Sequence, residues 1–442
     1  MRPAAPWDIF HVDLSAPVAL ELQPEAQAAI LFFRQDGMVV GRSALTRAAF
    51  PMSAEQVRAL GAGAGSWIML SQVAGGGYDA ALQGHVLPPA RASQAGAFDV
   101  TGFGQAIAAR RHRSSRSVTL VICTLNRPQQ LAACLETVRA AFDPGPGREI
   151  LVVDNGPDAA TRAVVEAAGA TYVAEPRRGL SNARNAALRE IESEIVAFID
   201  DDVLPEPGWI EPLLNAFDDP QVGVATGLVL PLELRSEAQI SFEMDLGFGG
   251  MGLQPLRFDP AFLEATGPWG VPSWNIGAGA NMAIRRDLVD RIGLFDPRLG
   301  HGGQASGAGE DSEFWRRALE AGVCCFYEPA SVVRHEHRAD WNALRRQVRG
   351  YAMGHLAAIF AQYGNHRRRG DLWRAFYILP GHYTKRLLLS WRRRMLRIPD
   401  LHLHDEIRGY LQGVRYIGFT RPPSARRRFR QCPRPPTRQS DL

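Results

Sequence analysis

The sequence has almost no lysine: Lys385 stands alone against 49 arginines in 442 residues. That imbalance reflects base composition as much as chemistry, so arginine number by itself is weak evidence for phosphate binding. Cysteine is also scarce. Five residues (Cys123, Cys134, Cys324, Cys325 and Cys432) are scattered without a Cys-x-x-Cys pair, which excludes a disulfide framework and a paired-cysteine zinc site and makes a reducing compartment the default. The adjacent Cys324 and Cys325 read as strand residues. No apolar run of about 18 residues occurs, and no charged-then-apolar leader opens the chain, so the expectation is a cytoplasmic protein without a transmembrane anchor. Net charge is small as well, +4 from 50 basic and 46 acidic residues, and as a total it singles out neither nucleic acid nor membrane. What is plentiful is apolar material. With 46% hydrophobic and 22% charged residues the chain can bury a large core, which excludes a disordered or fibrous protein and suggests about two or three domains.

Pattern divides the chain. Residues 1–105 carry short apolar runs (Ala29 to Phe33, Met38 to Val40, Trp67 to Val73) broken by Asp36-Gly37, Gly61 to Gly65 and Gly75 to Gly77; these are strand and turn signals and predict a small, mainly β accessory domain. An arginine-rich linker, 106–117, follows. From Val118 apolar strands alternate with helical segments, the signature of βαβ units and a mostly parallel sheet. Strands are expected at Val118 to Cys123, Glu149 to Val153, Thr171 to Ala174 and Ile195 to Ile199, with helices at Pro128 to Phe142, Asp158 to Ala168 and Ser181 to Ile191. After about Arg334 the chain turns helical and basic: 24 Lys or Arg against 7 Asp or Glu give +17, so the first 333 residues carry −13. Residues 339–420 are thus expected to be a helical basic extension, and 421–442, rich in Pro and Arg, a disordered tail.

Open α/β sheets bind ligands beyond the carboxyl ends of their strands. Polar residues gather at those ends: Thr124, Asn126 and Arg127, then Asp154 and Asn155, then Asp200, Asp201 and Asp202. Three consecutive carboxylates after an apolar strand repel one another unless a cation or donors relieve them. A hard divalent ion held by one or two carboxylates plus substrate phosphates fits such a cluster; a solvated loop or helix cap is the plainer explanation.

Seven short motifs follow one another in order: Val-Ile-Cys-Thr-Leu-Asn-Arg (121–127), Val-Val-Asp-Asn (152–155), Gly-Leu-Ser-Asn-Ala-Arg-Asn (179–185), Phe-Ile-Asp-Asp-Asp (198–202), Gly-Ala-Gly-Ala-Asn-Met-Ala (277–283), Gly-Glu-Asp-Ser-Glu-Phe (309–314) and His335. In this the stretch 118–338 resembles a family 2 glycosyltransferase with a GT-A fold, an α/β, Rossmann-like nucleotide-diphospho-sugar transferase domain. The resemblance implies inverting transfer of a sugar from a nucleotide-diphosphate sugar to an acceptor hydroxyl, with Mg²⁺ or Mn²⁺ neutralising the departing diphosphate.

Carried over by position, the resemblance gives Asp154, Thr124, Asn126 and Arg127 to the nucleotide pocket, with Arg184, Asn182, Asp200 and Asp201 beside them. Asp202, with Asp200, would hold the metal, and His335 would complete it, His337 being a close alternative because residues two apart on a strand share a side. Asp311 is the candidate base, with Glu310 as the fallback; acids in a first helical turn are favourable anyway. Gly277, Gly279 and Asn281 suit close approach to sugar or pyrophosphate, although glycines in a tight turn explain the motif almost as well. Trp269 and Trp274 are candidates for the acceptor site, core packing being the equal alternative.

Other readings stay open. A sugar nucleotidylyltransferase would need a basic glycine-rich loop with lysine after the first strand, where Thr124 to Pro128 stands. A processive synthase would add membrane helices and a Gln-x-x-Arg-Trp motif, so single transfer is expected. A non-catalytic nucleotide-sugar-binding subunit would share the same carboxylates. The acceptor (glycan, glycolipid or small molecule) is unspecified; a lipid-linked one would suit basic helices resting on the inner face of an anionic plasma membrane, and nucleic acid is not expected.

Overall fold

Asp36 and Gly37 both take left-handed backbone, φ 50° and 75°, the geometry of a tight two-residue hairpin. They join β2 (Ala28–Gln35) to β3 (Met38–Thr46), and β1 (Trp7–Asp13) adds parallel to β2. The computed structural model describes residues 4–73, 78–79, 111–248, 252–304, 307–395 and 402–421. The expected disordered tail lies outside these residues except for Arg421, as does most of 74–110. Alternation along the first three strands gives two apolar faces. Ala29, Leu31, Phe33, Met38 and Val40 pack with Val57 of α1 (Ala54–Val73), while Trp7, Ala28, Ile30, Phe32 and Val39 join the core of the larger sheet.

The expectation of a strand at Trp67 to Val73 is corrected: these residues close α1, a helix of 20 residues. Gly61 of this helix marks close packing instead of a turn: a Cβ there would lie 2.3 Å from the Leu14 side chain, and a Cβ at Gly41 of β3 would lie 2.9 Å from Ala64 of the helix.

The larger sheet has ten strands. In chain order they are β4 (Tyr78–Asp79), β5 (Val118–Thr124), β6 (Arg148–Asp154), β7 (Thr171–Ala174), β8 (Ile195–Asp200), β9 (Val203–Pro205), β10 (Val222–Pro231), β11 (Leu256–Phe258), β12 (Asn281–Arg285) and β13 (Cys324–His335). Between them run α2 (Pro128–Phe142), α3 (Ala159–Ala167), α4 (Leu180–Glu190), α5 (Ile210–Asn215), α6 (Glu237–Asp245), α7 (Pro260–Thr266), α8 (Leu288–Ile292) and α9 (Glu310–Glu320). The order is β4-β11-β13-β10-β12-β8-β5-β6-β7, with β9 on β13. Strands β7, β6, β5 and β8 are mutually parallel, β10 and β13 are parallel to each other, and β12 runs antiparallel between β8 and β10.

That arrangement brings Thr124, Asp154, Asp200 and His335, all last or near-last residues of strands sharing one direction, to one edge of the sheet together with Asn281 at the start of β12. The α/β architecture expected from the sequence is therefore observed. Its strands are buried runs: every residue of β10 is inaccessible, and only the last of β8 is not.

Beyond β13 come α10 (Trp341–His366), α11 (Arg369–Trp373), a π-turn at Arg374–Ile378, α12 (Leu379–Met395) and α13 (Leu403–Gly413). Asp340 caps α10 by accepting from the Ala343 N–H at 2.7 Å. Leu356, Ile359 and Phe360 of α10 form a small core with Ala375 and Tyr410. No helix among the described residues is long and apolar enough to cross a membrane.

Candidate active site

Strand β8 delivers three acids that face different partners. Asp200 lies 3.8 Å from Arg184 Nη2. Asp201 turns back to β5, accepting from Thr124 Oγ1 at 2.7 Å and Arg127 Nη1 at 3.0 Å. Asp202 Oδ2 takes Arg127 Nη1 at 3.3 Å and Arg338 Nη2 at 3.2 Å, while Oδ1 faces His335 Nε2 at 3.4 Å. Burial raises the pKa of Asp200, with Asp202, Asp201 and Asp311 adding to the rise against Arg184. Burial also opposes ionisation of Asp202, yet its pKa is lowered by the cations around it. His335 contributes most to that lowering, ahead of Arg338 and Arg127, while burial pushes the pKa of His335 itself down to about 4.

A buried carboxylate is relieved here by two guanidinium groups on one oxygen only. The other oxygen meets an imidazole nitrogen that is itself joined to a longer chain: His335 Nδ1 contacts His337 Nδ1 at 3.1 Å, and His337 Nε2 contacts Glu243 Oε2 at 3.2 Å. A carboxylate accepts only, so the His337 Nε2 donates to Glu243. With both rings neutral, His335 Nδ1 donates to His337 Nδ1 and His335 Nε2 presents a lone pair to Asp202 Oδ1. In that arrangement Asp202 Oδ1 and His335 Nε2, 3.4 Å apart, form a donor set a cation would reconcile. No group of three His, Cys, Asp or Glu at metal-holding separation is present among the described residues, so the protein can offer two ligands here, in keeping with a hard ion that takes its remaining ligands from phosphate and water.

Arg184, on α4, is 2% exposed. Its Nη1 donates to Glu310 Oε1 at 3.0 Å and its Nη2 to the Gly279 carbonyl at 3.3 Å. Asp311 accepts from the Gly279 N–H at 3.2 Å through Oδ2 and from the Ser312 N–H at 2.6 Å through Oδ1. A Cβ at Gly279 would lie 2.9 Å from Arg184 and 3.1 Å from Asp311; the glycine makes room for these two side chains. Glu310 is 4% exposed and burial raises its pKa, Asp311 adding to the rise. It stands behind Arg184, which leaves Asp311 as the accessible acid of the pair.

Other expected residues are differently engaged. Asp154 is fully buried and accepts from the Gly156 N–H, the Asp158 N–H and Tyr172 Oη at 3.1, 3.1 and 3.0 Å, so it holds the turn after β6 instead of presenting free oxygens to a nucleotide. Asn281, also fully buried, donates to the carbonyls of Leu228 (3.3 Å) and Ser331 (3.0 Å) and ties β10 to β13; the expectation of ligand contact is corrected to one of sheet support. Asn182 donates to its own helix entry at Arg178. Asn126 is exposed with left-handed backbone, φ 55°. Trp274 packs on Arg374, 4.0 Å from ring centre, and edge-on to His355 at 4.4 Å, whereas Trp269 is 60% exposed. Arg338 and Glu243 were not anticipated. Arg338 was legible as the basic residue closing His335-Glu336-His337-Arg338; Glu243, inside a helix with no motif, gave no signal.

Residues 119–245 match the sequence pattern of glycosyl transferase family 2, and residues 195–406 match glycosyl transferase family group 2. The stretch 119–245 is thus a glycosyl transferase family 2 region. The chain is 30% identical over 251 residues to the pre-mycofactocin glycosyltransferase of Mycobacterium tuberculosis, covering 54% of this chain and 47% of that protein. It is 27% identical over 254 residues to the succinoglycan biosynthesis protein ExoM of Rhizobium meliloti, covering 54% and 75%. The chain thus spans about half the length of the first of these relatives. Among solved structures, the mannosyltransferase PcManGT of Pyrobaculum calidifontis superposes with a TM-score of 0.47 at 18% identity, covering 68% of this chain and 88% of that one.

Proposed function

We propose that this chain is an inverting, metal-dependent glycosyltransferase that moves a sugar from a nucleotide-diphosphate sugar to an acceptor hydroxyl, one transfer at a time. The observation that carries the reading is the close approach of Asp202 Oδ1 and His335 Nε2, 3.4 Å apart at the end of the strand, next to Asp200, which lies 3.8 Å from the buried Arg184. Mg²⁺ or Mn²⁺ held by Asp202 and His335 would supply Lewis-acid neutralisation of the departing diphosphate. Arg127 and Arg338 hold Asp202 ionised and carry donors that can turn towards phosphate oxygens. Arg184, kept charged by Glu310, fixes the Gly279 peptide beside Asp311. Asp311 accepts the proton of the acceptor hydroxyl as its oxygen attacks the anomeric carbon; the bond from that carbon to the diphosphate oxygen breaks, and the electron pair leaves with the diphosphate. Thr124 and Asp201 line the donor side.

Transfer and hydrolysis with a panel of nucleotide-sugars test this. Asp311→Asn is expected to lower turnover by about 10²- to 10⁴-fold, the usual contribution of a positioned base, and Asp202→Ala to abolish metal stimulation. Wild-type rates no greater than those of both variants would leave a non-catalytic binding subunit as the better reading.

The acceptor side points to a lipid surface. Among the described residues, eight of the twelve exposed large hydrophobics fall between 373 and 417, among them Trp373, Phe376, Tyr377, Leu387 and Leu388, which recur at helical spacing. Near them α10 and α13 enclose a cleft of about 500 Å³ lined by Arg345, Arg346, Arg349, Arg408 and His404, with Asp405 as its acid. Apolar side chains beside clustered arginines suit an anionic bilayer carrying a lipid-linked acceptor, and Trp269 is exposed as well.

A further inference from the structure

The sequence prefers His335 and keeps His337 as a close alternative, and the buried chain Asp202–His335–His337–Glu243 sets the two in different places. Its far end reaches the accessory sheet: Arg42 Nη1 of β3 lies 3.5 Å from Glu243 Oε1. Both imidazoles and the Glu243 carboxylate are almost fully buried, with side-chain exposures of 6%, 1% and 1%. Phe242 lies edge-on to His337 at 4.6 Å between centroids and Phe248 edge-on to His335 at 5.2 Å. The rings are walled off from water, so their tautomers are set by the chain itself.

We infer that Glu243 and His337 are positioning residues that fix His335 in its Nδ1–H tautomer, presenting Nε2 as the single imidazole ligand for the divalent ion, and that Arg42 lends the accessory sheet a part in the site by holding the Glu243 charge. The inference rests on the metal-dependent reading above. With both rings neutral, the acceptor-only carboxylate at one end orders the protons: Glu243 takes the His337 Nε2–H, His337 Nδ1 takes the His335 Nδ1–H, and the His335 Nε2 lone pair is left facing Asp202. A carboxylate behind a metal-binding histidine orients the ring and raises its basicity; here a second histidine carries that influence from a carboxylate too distant to act directly. His337, with Nε2 committed to Glu243 and Nδ1 to His335, has no lone pair left for a metal.

The test uses the full-length chain and Mn²⁺ alone, its free concentration read by electron paramagnetic resonance. His337→Leu, which can neither accept from His335 nor donate to Glu243, is expected to weaken Mn²⁺ binding by about 10- to 100-fold. His337→Gln, whose amide can do both, is expected to recover most of the loss, which a packing role for the ring would not allow. Nitrogen-15 chemical shifts of His335, assigned by their loss in His335→Ala, should report a bare Nε2 in metal-free wild type and a different or mixed tautomer in His337→Leu. Wild-type Mn²⁺ affinity in folded His337→Leu, or a protonated Nε2 in wild type, overturns the relay. Absence of Mn²⁺ binding by wild type itself overturns the metal reading and the relay with it.

Discussion

At Asn281 a residue chosen for a ligand turns out to bind the protein's own backbone. Its amide donates to the buried carbonyls of Leu228 and Ser331, and removing it takes both bonds away. Asn281→Ala should lower unfolding free energy by about 1–3 kcal/mol in urea titrations while activity per folded molecule persists; loss of activity without loss of stability would return it to the donor site. Asp202, Thr124 and Arg127 were legible in the sequence because a polar residue ending a buried strand has one place to go. Asn281 begins a strand, where the same logic does not say whether the side chain faces cleft or core. Asp154 was located correctly, but its three donors (two backbone amides and Tyr172) depend on a turn that no motif describes.

Helix α10 shows what an element adds to its residues. Gly354 lies against the loop that leads into α9; a Cβ there would be 1.9 Å from the Ala308 carbonyl oxygen. Gly354→Ala must push that loop away and with it Glu310 and Asp311, so turnover should fall at least about 10-fold, misplacement of a catalytic group being costly, with helical circular dichroism unchanged. The same helix carries His355, whose pKa burial lowers to about 3, Arg374 lowering it further. A histidine with a depressed folded-state pKa is protonated first in the unfolded chain, so stability is full above the unfolded value of 6.5 and falls as pH drops below it. Between pH 7 and pH 5 the loss should reach about 2 kcal/mol from this group; His355→Gln should flatten that part of a stability–pH profile. Elements whose period was clear, from α2 to α4 and β5 to β8, were legible within a residue or two. Helix α1 was not, because its Gly61 serves close packing on Leu14 yet reads locally as a turn residue.

Across the whole molecule, charge is separated, −13 over residues 1–333 and +17 from residue 334 on, and most of the exposed large apolar side chains among the described residues lie with the positive part. Co-sedimentation with anionic vesicles should therefore occur at low salt and fall severalfold at about 1 M salt, where the Debye length is about 3 Å. Leu387→Ser with Leu388→Ser should weaken it further, and absence of low-salt binding would remove the bilayer as the acceptor's support. The sequence patterns marked the catalytic and basic parts well, since each has its own composition. They did not reveal that the first sheet is fused to the second, through Trp7 N–H to the Leu234 carbonyl at 2.8 Å and Arg34 to Glu206 at 2.8 Å, because contacts between distant segments leave no local trace.

One long strand, β13, pairs with β10, β11 and β9 and ends in His335. Stiffness is unequal across the cleft as a result. His335 inherits the resistance of a strand held on both edges, while Asp311 is registered by a glycine peptide and the first turn of a helix. Regions with fewer buried backbone bonds open at lower free energy, so the His335 end of the cleft is an anvil and the Asp311 end a compliant jaw.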